Sequence, residues 1–391
     1  MPDNKNQHYV PQFYLKNFTS SESKRCINIL NIDRDRVILN ASLRDQCSKG
    51  YFYGKDSVLD ALLTGLEGIS SAEIRSLIAG EVMERASILL RLFISVQKGR
   101  TLYAVEQAYS LVVGMQAELA KHSPAGEQLP KFPTKDEMKD INIKQHVLLY
   151  PMLMDLSSAL LVNATAIDFI TSDNPVVLCN RFYKDNHLSG SGLAKAGIEI
   201  YLPVSPRLVV LLYDGYIWHA PERLKDGTIT ITRANWVDSV NELQILNAQS
   251  NLYFADDGDA KDISDLFAKV KERRRSGDAT VETYFSVDED AQLFVQDELV
   301  GKSSRIMFKG GVRDLDVTPR IEFLKKSIRP KASNDGSARG PVRDEAWCDI
   351  VNDFSHDVIG GKASLADIDL YARRHPLAGR IRPRKASATQ L

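Results

Sequence analysis

The residues best suited to chemistry lie near the start of the chain, where His8 and Gln12 are four positions apart. Imidazole titrates near neutral pH and binds metal ions, so His8 is the strongest candidate here for a catalytic or ligand-binding group. Pro11 favours an extended residue before it and a helical turn after it, which places His8 just ahead of a short helix. The aromatic and aliphatic side chains of that helix share one face, and Gln12 lies on another. We predict a hydrophobic plug that holds His8 and Gln12 at a cleft; the alternative is that His8 is hydrogen-bonded within the core.

A second polar stretch runs from Thr171 to Pro175 and contains Asp173 and Asn174. It follows an apolar segment, and binding groups commonly lie on loops at the ends of strands. Asp173 could bind a divalent metal or orient His8, although the sequence does not identify a cofactor. The alternative is a turn in which the Asp and Asn side chains bond to the local backbone.

Four further residues could contribute to a site around these two stretches. Gln97 and Arg100 are three positions apart, so they share a face if the helix persists that far. An arginine there could hold a phosphate or carboxylate through two hydrogen bonds; it could equally be a cation favoured by the end of the helix dipole. Glu67 adds a carboxylate and Asn247 adds an amide, each from a predicted helix, and both could equally be ordinary surface or sheet-facing groups.

The elements around these residues predict an α+β fold, a β-sheet with a covering helical layer and a small C-terminal appendage. Residues 57–162 have mostly helical periodicity. A hairpin near residues 27–39 and the stretch 166–256 supply the sheet, and residues 208–213 are apolar enough to form a central strand. We predict one main domain over residues 1–275.

The C-terminal region differs in composition from the main domain. We predict appended strands at 276–328, a linker at 329–344 without hydrophobic period, and a small helical tail at 345–391 with a disordered end. Residues 301–391 contain 18 Lys and Arg against 11 Asp and Glu, although the whole chain has a net charge of -1. This basic C-terminal region could contact nucleic acid, or it could be no more than a solvated end.

Composition and spacing exclude several other classes of protein. The chain has 391 residues, of which 43% are hydrophobic and 26% charged, as in ordinary soluble proteins. Its 4 cysteines include no close pair, which excludes a zinc knuckle and a redox motif. We find no signal peptide and no apolar run of the roughly 20 residues that span a bilayer. We therefore predict a cytoplasmic protein with no membrane partner and of undetermined oligomeric state.

Two motifs, in this order, resemble a known family. Residues 8–15 read HYVPQFYL, and residues 169–176 read FITSDNPV. The pair is similar to a widespread bacterial family, the domain of unknown function 4238, and the similarity covers about residues 6–256. This resemblance implies a cytosolic protein encoded by a bacterium or a phage. It implies no reaction.

The sequence contains no catalytic signature such as a phosphate-binding loop or a nucleophile elbow. Three hypotheses for the function remain. The first is a hydrolase of the phosphodiesterase or nuclease type. Its catalytic residues would be His8, Asp173, Gln12, Asn174 and Glu67, and its substrate-binding residues would be Gln97, Arg100 and Asn247. The second is a non-catalytic binding module, in which His8 and Asp173 form one polar clamp between the N-terminus and the sheet. The third is a sensor or effector whose basic C-terminal region contacts nucleic acid.

Overall fold

The computed structural model has the mixed α+β fold that the sequence predicts. It describes residues 6–19, 24–54, 58–123, 128–183, 192–274, 279–286, 294–295, 306–311, 315, 321–327 and 342–382. Most of the predicted linker and the predicted disordered end, residues 329–341 and 383–391, lie outside these ranges. Much of the predicted strand region 276–328 also lies outside them.

Helices and strands alternate irregularly along the chain. The helices are α1 (Gln12–Leu15), α2 (Val58–Ile78), α3 (Ile88–Arg100), α4 (Leu102–His122), α5 (Lys135–Leu149), α6 (Ala234–Asn247), α7 (Ala260–Val270), α8 (Glu345–Ile359) and α9 (Ile368–Arg374). The strands are β1 (Asn6–His8), β2 (Cys26–Asn31), β3 (Arg36–Ser42), β4 (Ser48–Gly50), β5 (Ser157–Asn163), β6 (Thr171–Ser172), β7 (Val177–Cys179), β8 (Glu199–Ser205), β9 (Leu208–Tyr213), β10 (Trp218–His219), β11 (Thr228–Ile231), β12 (Asn251–Phe254), β13 (Thr280–Ser286), β14 (Phe294–Val295), β15 (Ile306–Gly311) and β16 (Lys325–Lys326). None of the helices in the described ranges is long and apolar enough to cross a membrane.

The strands of the main body form two sheets where the sequence predicted one. Five strands are arranged β11-β5-β9-β8-β7, and four are arranged β3-β2-β12-β6. The strand β9 lies between β5 and β8, which confirms the central position predicted for residues 208–213. Its alternate side chains enter different cores, because Val210 faces the N-terminal segment whereas Val209 faces the core that includes α6 and α7. The five-stranded sheet is therefore buried on both faces.

The N-terminal segment is a buried plug, as predicted. Val10, Tyr14, Leu15 and Phe18 are fully buried. The Tyr14 hydroxyl donates to the Pro203 carbonyl at 2.5 Å and lies 2.7 Å from the Thr171 hydroxyl, so it joins the plug to both sheets. Burial of each large apolar side chain stabilises the fold by roughly 1.5–3 kcal/mol. The plug thus fixes the position of β1, which carries His8.

The helical region predicted at 57–162 ends earlier than expected. The helix α5 stops at Leu149, and a 3-10 turn over Tyr150–Leu153 contains Pro151. Proline lacks an amide donor and clashes with the preceding turn, so the chain leaves the helix there. Residues 157–162, predicted to be helical, instead belong to strand β5 in the five-stranded sheet.

The C-terminal helices are packed against the body. Arg343 is 2% exposed, and its guanidinium donates to both carboxylate oxygens of Asp155 at 2.6 and 2.8 Å. Val342 forms a β-bridge with Lys195. The indole of Trp347 donates to the Pro151 carbonyl at 3.1 Å. The end of the predicted linker is therefore part of the packed structure, because a buried bidentate ion pair holds Arg343 in place.

Candidate functional site

The end of α3 carries the two residues whose shared face the sequence predicted. The helix persists to Arg100, and both Gln97 and Arg100 are buried. Gln97 donates its amide to the Tyr9 carbonyl at 3.0 Å, and Arg100 donates to the His8 carbonyl at 2.6 Å. One turn of α3 thus holds two consecutive carbonyls at the end of β1.

Arg100 also donates to two side chains. Its Nη2 donates to Glu67 Oε1 at 2.7 Å, and its Nε donates to the Tyr53 hydroxyl at 3.1 Å. Burial lowers the pKa of this guanidinium, but Tyr53 and the Glu67 carboxylate outweigh it and raise the pKa above its ordinary value. Arg100 is therefore a permanent cation that is 2% exposed, whereas the Glu67 side chain is 27% exposed.

His8 and Gln12 meet beside this ion pair. The Nε2 atom of His8 lies 3.1 Å from the Arg44 carbonyl oxygen and 3.0 Å from the side-chain amide nitrogen of Gln12. Burial, with a smaller effect of the Arg100 cation, lowers the pKa of His8 below 6.5, although the Arg44 carbonyl and Glu67 oppose this. The imidazole is therefore neutral at pH 7. His8, Gln12, Tyr53, Glu67 and Arg100 together are called the His8 cluster below.

Asp173 lies in a turn immediately after β6, facing the chain between α6 and β12. Its Oδ1 accepts from the Gln249 amide at 2.8 Å, and its Oδ2 accepts from the amides of Ser250 and Asn251 at 2.7 and 3.1 Å. The residue is 5% exposed. Asp173 thus satisfies three backbone donors of a bend that separates a helix from a strand.

Burial raises the pKa of Asp173 to about 6. The three backbone amides and the nearby Arg274 cation oppose this rise, because they stabilise the carboxylate. Arg274 is held next to the same bend, where it donates to the carbonyls of Ala248 and Gln249 at 2.6 and 3.0 Å. The carboxylate therefore lies between an interior that favours its protonated form and donors that favour its charge.

Reciprocal amide hydrogen bonds fix the residues beside Asp173. Asn174 donates its side-chain amide to the Asn247 carbonyl at 2.9 Å, and Asn247 donates back to the Asn174 carbonyl at 2.5 Å. The Thr101 hydroxyl donates to Asn174 Oδ1 at 3.2 Å, and Thr101 also caps α4. Thr101, Asp173, Asn174 and Asn247 are called the Asp173 cluster below.

The structure brings the predicted site residues together in two groups rather than one. Gln12, Glu67 and Arg100 accompany His8, whereas Asn174 and Asn247 accompany Asp173. Gln97 bonds to the backbone between the groups, at Tyr9. The hydrogen bonds of His8 and Asp173 go to different partners among the described residues, so the direct clamp between these side chains that the sequence predicted is not found there.

Three residues that form hydrogen bonds at these sites were not among the site residues predicted from the sequence. Tyr53 lies in an aromatic run bounded by glycines, and that composition alone could have indicated a packed segment. Thr101 directly precedes a helical pattern, which is a signal for an N-terminal cap. Gln244 accepts from the Ser172 hydroxyl at 2.9 Å and donates to the Pro175 carbonyl at 2.9 Å. It lies one turn before Asn247, so helical periodicity could have identified it.

Metal ligands do not gather at either cluster. Within the part of the chain that the structure describes, no group of three or more His, Cys, Asp and Glu side chains could hold a metal ion. Two buried oxygens, Gln97 Oε1 and Asn247 Oδ1, have no hydrogen-bond partner within that same part. Both clusters bond to backbone groups, and the His8 cluster also contains the ion pair of Arg100 and Glu67.

Comparison with protein families gives a match that covers more than half of the chain. The model of a family described as "Protein of unknown function (DUF4238)" matches residues 6–258. This range contains both clusters and confirms the resemblance that was inferred from the two motifs. No curated protein and no solved structure matches the chain.

Proposed function

Because the chain belongs to the family described as "Protein of unknown function (DUF4238)" and membership supplies no reaction, we propose that it is a non-catalytic binding module. In this proposal the His8 cluster fastens β1 to α3, and the Asp173 cluster fastens the turn after β6 to the end of α6. The single clamp considered from the sequence then becomes two clamps. Together they fix the segments on which a binding surface would be built.

The observation that carries this proposal is the occupation of the Asp173 carboxylate. A general base or nucleophile needs a lone pair directed at the substrate. Both oxygens of Asp173 instead accept from backbone amides, and the residue is 5% exposed. Arg100, the candidate for holding a phosphate, already donates to Glu67, Tyr53 and a backbone carbonyl. These contacts favour a structural role for both residues.

Asp173→Asn tests the structural role, with Asp265→Asn as a matched control. The substitution places an amide group against three backbone donors, which should cost about 1–3 kcal/mol of unfolding free energy. Asp265 is 65% exposed in a surface pair with Lys261, so its substitution should change stability by less than about 0.5 kcal/mol. Urea unfolding measures both. An unchanged midpoint for Asp173→Asn would overturn the proposal.

A hydrolase of the phosphodiesterase or nuclease type is the second candidate, and a specific observation favours it. His8, Gln12 and Glu67 are only partly buried and share one cluster with a cation. A neutral imidazole is able to accept a proton at pH 7. In this candidate His8 would be the base and Glu67 the carboxylate, with a divalent metal supplied in solution.

Hydrolysis of bis(4-nitrophenyl) phosphate and of single-stranded DNA, with Mg²⁺ or Mn²⁺, tests this candidate. A base in this role should contribute about 10²–10⁴-fold, so His8→Gln should lower the rate by that factor. His375→Gln is the control, because His375 pairs with Asp353 on the C-terminal helices. Turnover that disappears in His8→Gln but not in His375→Gln would replace the binding module by the hydrolase. Turnover unaffected by His8→Gln would reject His8 as the base, and no turnover by the parent would reject the hydrolase.

Contact with nucleic acid is a third candidate, favoured by the position of the basic charge. Residues 342–382 contain six Lys and Arg and seven Asp and Glu, so the positive excess of the C-terminal region lies outside them. Replacing the five Lys and Arg of 329–341 and 383–391 by Gln should weaken binding to single-stranded DNA and reduce its salt dependence. Equal affinity at low salt would reject this contact.

We also propose a cytoplasmic location in a bacterial cell.

A further inference from the structure

A cavity of about 380 Å³ lies beside the His8 cluster. Its lining includes Tyr51, Phe52, Tyr53, Asp136, Lys139 and Asp140. Tyr53 belongs to both places, because its hydroxyl donates to the His8 carbonyl and accepts from Arg100. Volumes of roughly 300–1,000 Å³ are typical of small-molecule sites. The cavity is therefore large enough for a small ligand next to the first clamp.

The chemistry of the lining favours a cation. Three successive aromatic side chains form one wall, and the faces of aromatic rings attract positive charge. Gly54 and Leu59 also line the cavity, and its charged groups are two carboxylates and one ammonium group, which leaves one negative charge. At the nearby start of α5, a capping box between Thr134 and Glu137 occupies the backbone amides of these two residues. Asp140 also pairs with Lys144 at 2.6 Å, but half of its side chain is exposed and accessible.

The chain itself places an ammonium group on this wall. Lys139 Nζ lies 4.9 Å from the centroid of the Phe52 ring and 2.7 Å from Asp136 Oδ1. The hydrogen bond from Lys139 lowers the pKa of Asp136. The wall thus holds one cation by a ring face and a carboxylate together. The empty volume remains with Lys139 in place, since Lys139 is part of the lining.

The aromatic wall is held in an unusual backbone conformation. Tyr51 has a φ of 51°, which costs a bulky residue on the order of 1–3 kcal/mol. The segment is fixed by Gln7, which accepts from the Tyr53 amide at 2.6 Å and donates to the Gly54 carbonyl at 2.9 Å. Such strain persists where surrounding contacts determine the conformation, and it is common at ligand sites. These contacts thereby hold Tyr51 in the lining of the cavity.

We propose that this cavity binds a small organic cation of the alkylammonium or guanidinium class, against the ring of Tyr51 and near Asp140. The ring of Tyr53 already has the Arg100 guanidinium 5.8 Å from its centroid. The proposal names a ligand class for the binding module proposed above and rests on that function. The Lys139 ammonium group lies beside the proposed site, on Phe52 and Asp136. We therefore expect it to compete with the ligand for the aromatic rings and carboxylates of the lining.

Calorimetric titration of the full chain with choline chloride tests the proposal, with 3,3-dimethylbutan-1-ol as the uncharged analogue at matched ionic strength. The cation should bind about tenfold more tightly than the alcohol, because the alcohol lacks the attraction to ring faces. Tyr51→Leu keeps the apolar bulk but removes the ring, and it should weaken cation binding about fivefold. Lys139→Met removes the internal competitor and should tighten binding about threefold.

Asp265→Asn serves as the control, because Asp265 lines a different cavity. Equal affinity for the cation and the alcohol, or weaker cation binding by Lys139→Met, would overturn the inference. A cooperative melting transition shows that each variant is folded. If Tyr51→Leu is unfolded, Asp140→Asn provides the second test and should also weaken cation binding. If the cation does not bind and Asp173→Asn is destabilised, the proposed cation site is rejected and the proposed function stands. Turnover that depends on His8 would reject the proposed function and leave the binding result.

Discussion

The His8 and Asp173 clusters fasten neighbouring segments by opposite means. In the first, a buried cation donates to backbone carbonyls and to a carboxylate that is 27% exposed. In the second, a buried anion accepts from three backbone amides, and its neighbour Asn174 is fully buried. The first cluster therefore remains open to solutes at Glu67 and His8, whereas the side chains of the second are buried. The comparison suggests that both clusters stabilise the fold, and that only the first could also respond to a ligand.

Deleting residues 1–18 removes the N-terminal side of the first cluster and should have the largest effect. Val10, Tyr14, Leu15 and Phe18 leave the core, at roughly 1.5–3 kcal/mol each. Their sum is comparable to the whole stability of a typical domain, about 5–15 kcal/mol. We expect the truncated chain to lack a cooperative melting transition by circular dichroism. Deletion of residues 1–5 is the control; a normal transition after the longer deletion would show that the plug is dispensable.

Arg100→Met should have the next largest effect, because it breaks the open cluster at its buried member. The His8 carbonyl loses its charged donor and the Tyr53 hydroxyl loses a partner, at about 1–3 kcal/mol for a buried group left unsatisfied. Glu67→Gln should cost less than about 1 kcal/mol, since Glu67 is partly solvated. Urea unfolding of both variants measures the difference. Equal losses would mean that the ion pair, and not the hold on β1, determines the contribution of this cluster.

The two clusters should also respond to pH in opposite directions. The folded pKa of His8 lies below 6.5, so the unfolded chain takes up a proton first and the stability due to His8 is lost as pH falls below 6.5. The folded pKa of Asp173 is raised from 3.8 to about 6, so the folded chain takes up a proton first. Stability due to Asp173 should therefore rise as pH falls through 6, by at most about 1.4 kcal/mol per pH unit.

Unfolding free energies of the parent, His8→Ala and Asp173→Asn between pH 4.5 and 8 measure these contributions as differences. The parent should lose its advantage over His8→Ala at low pH. Relative to Asp173→Asn, it should gain stability over the same range. Two differences with the same sign would mean that the surroundings of the two side chains are less distinct than their contacts indicate.

The sequence predicted the open cluster better than the buried one, for a physical reason. Gln97 and Arg100 lie in one helix at helical spacing, so local periodicity indicates that they share a face. His8 and Gln12 are only four positions apart, on either side of Pro11. The plug was equally predictable, because an aromatic-rich N-terminus requires burial. The strand β5 was not, since an apolar run after a helix can be either state until its partners are known.

The partners of Asp173 could not be inferred from sequence. Its three donors lie 76 to 78 residues away along the chain, and they are backbone amides, which carry no signature in residue type. The alternative interpretation was a turn in which Asp173 and Asn174 bond to nearby backbone. It was correct that Asp173 bonds to backbone groups, but these groups lie far away along the chain. The buried ion pair of Arg343 was missed similarly, because its polar surroundings in the sequence indicate a linker.

A double-mutant cycle of His8→Ala and Asp173→Asn tests most directly whether the two clusters are separate. Separate networks without shared partners should give unfolding free-energy losses that add within about 0.5 kcal/mol. A single clamp would give a double mutant that loses clearly less than the sum, because either change would already have broken the shared bond. Urea unfolding of the parent, both single variants and the double variant at pH 7.5 supplies the four values. Additivity is the predicted result, and a coupling energy above about 1 kcal/mol would contradict it.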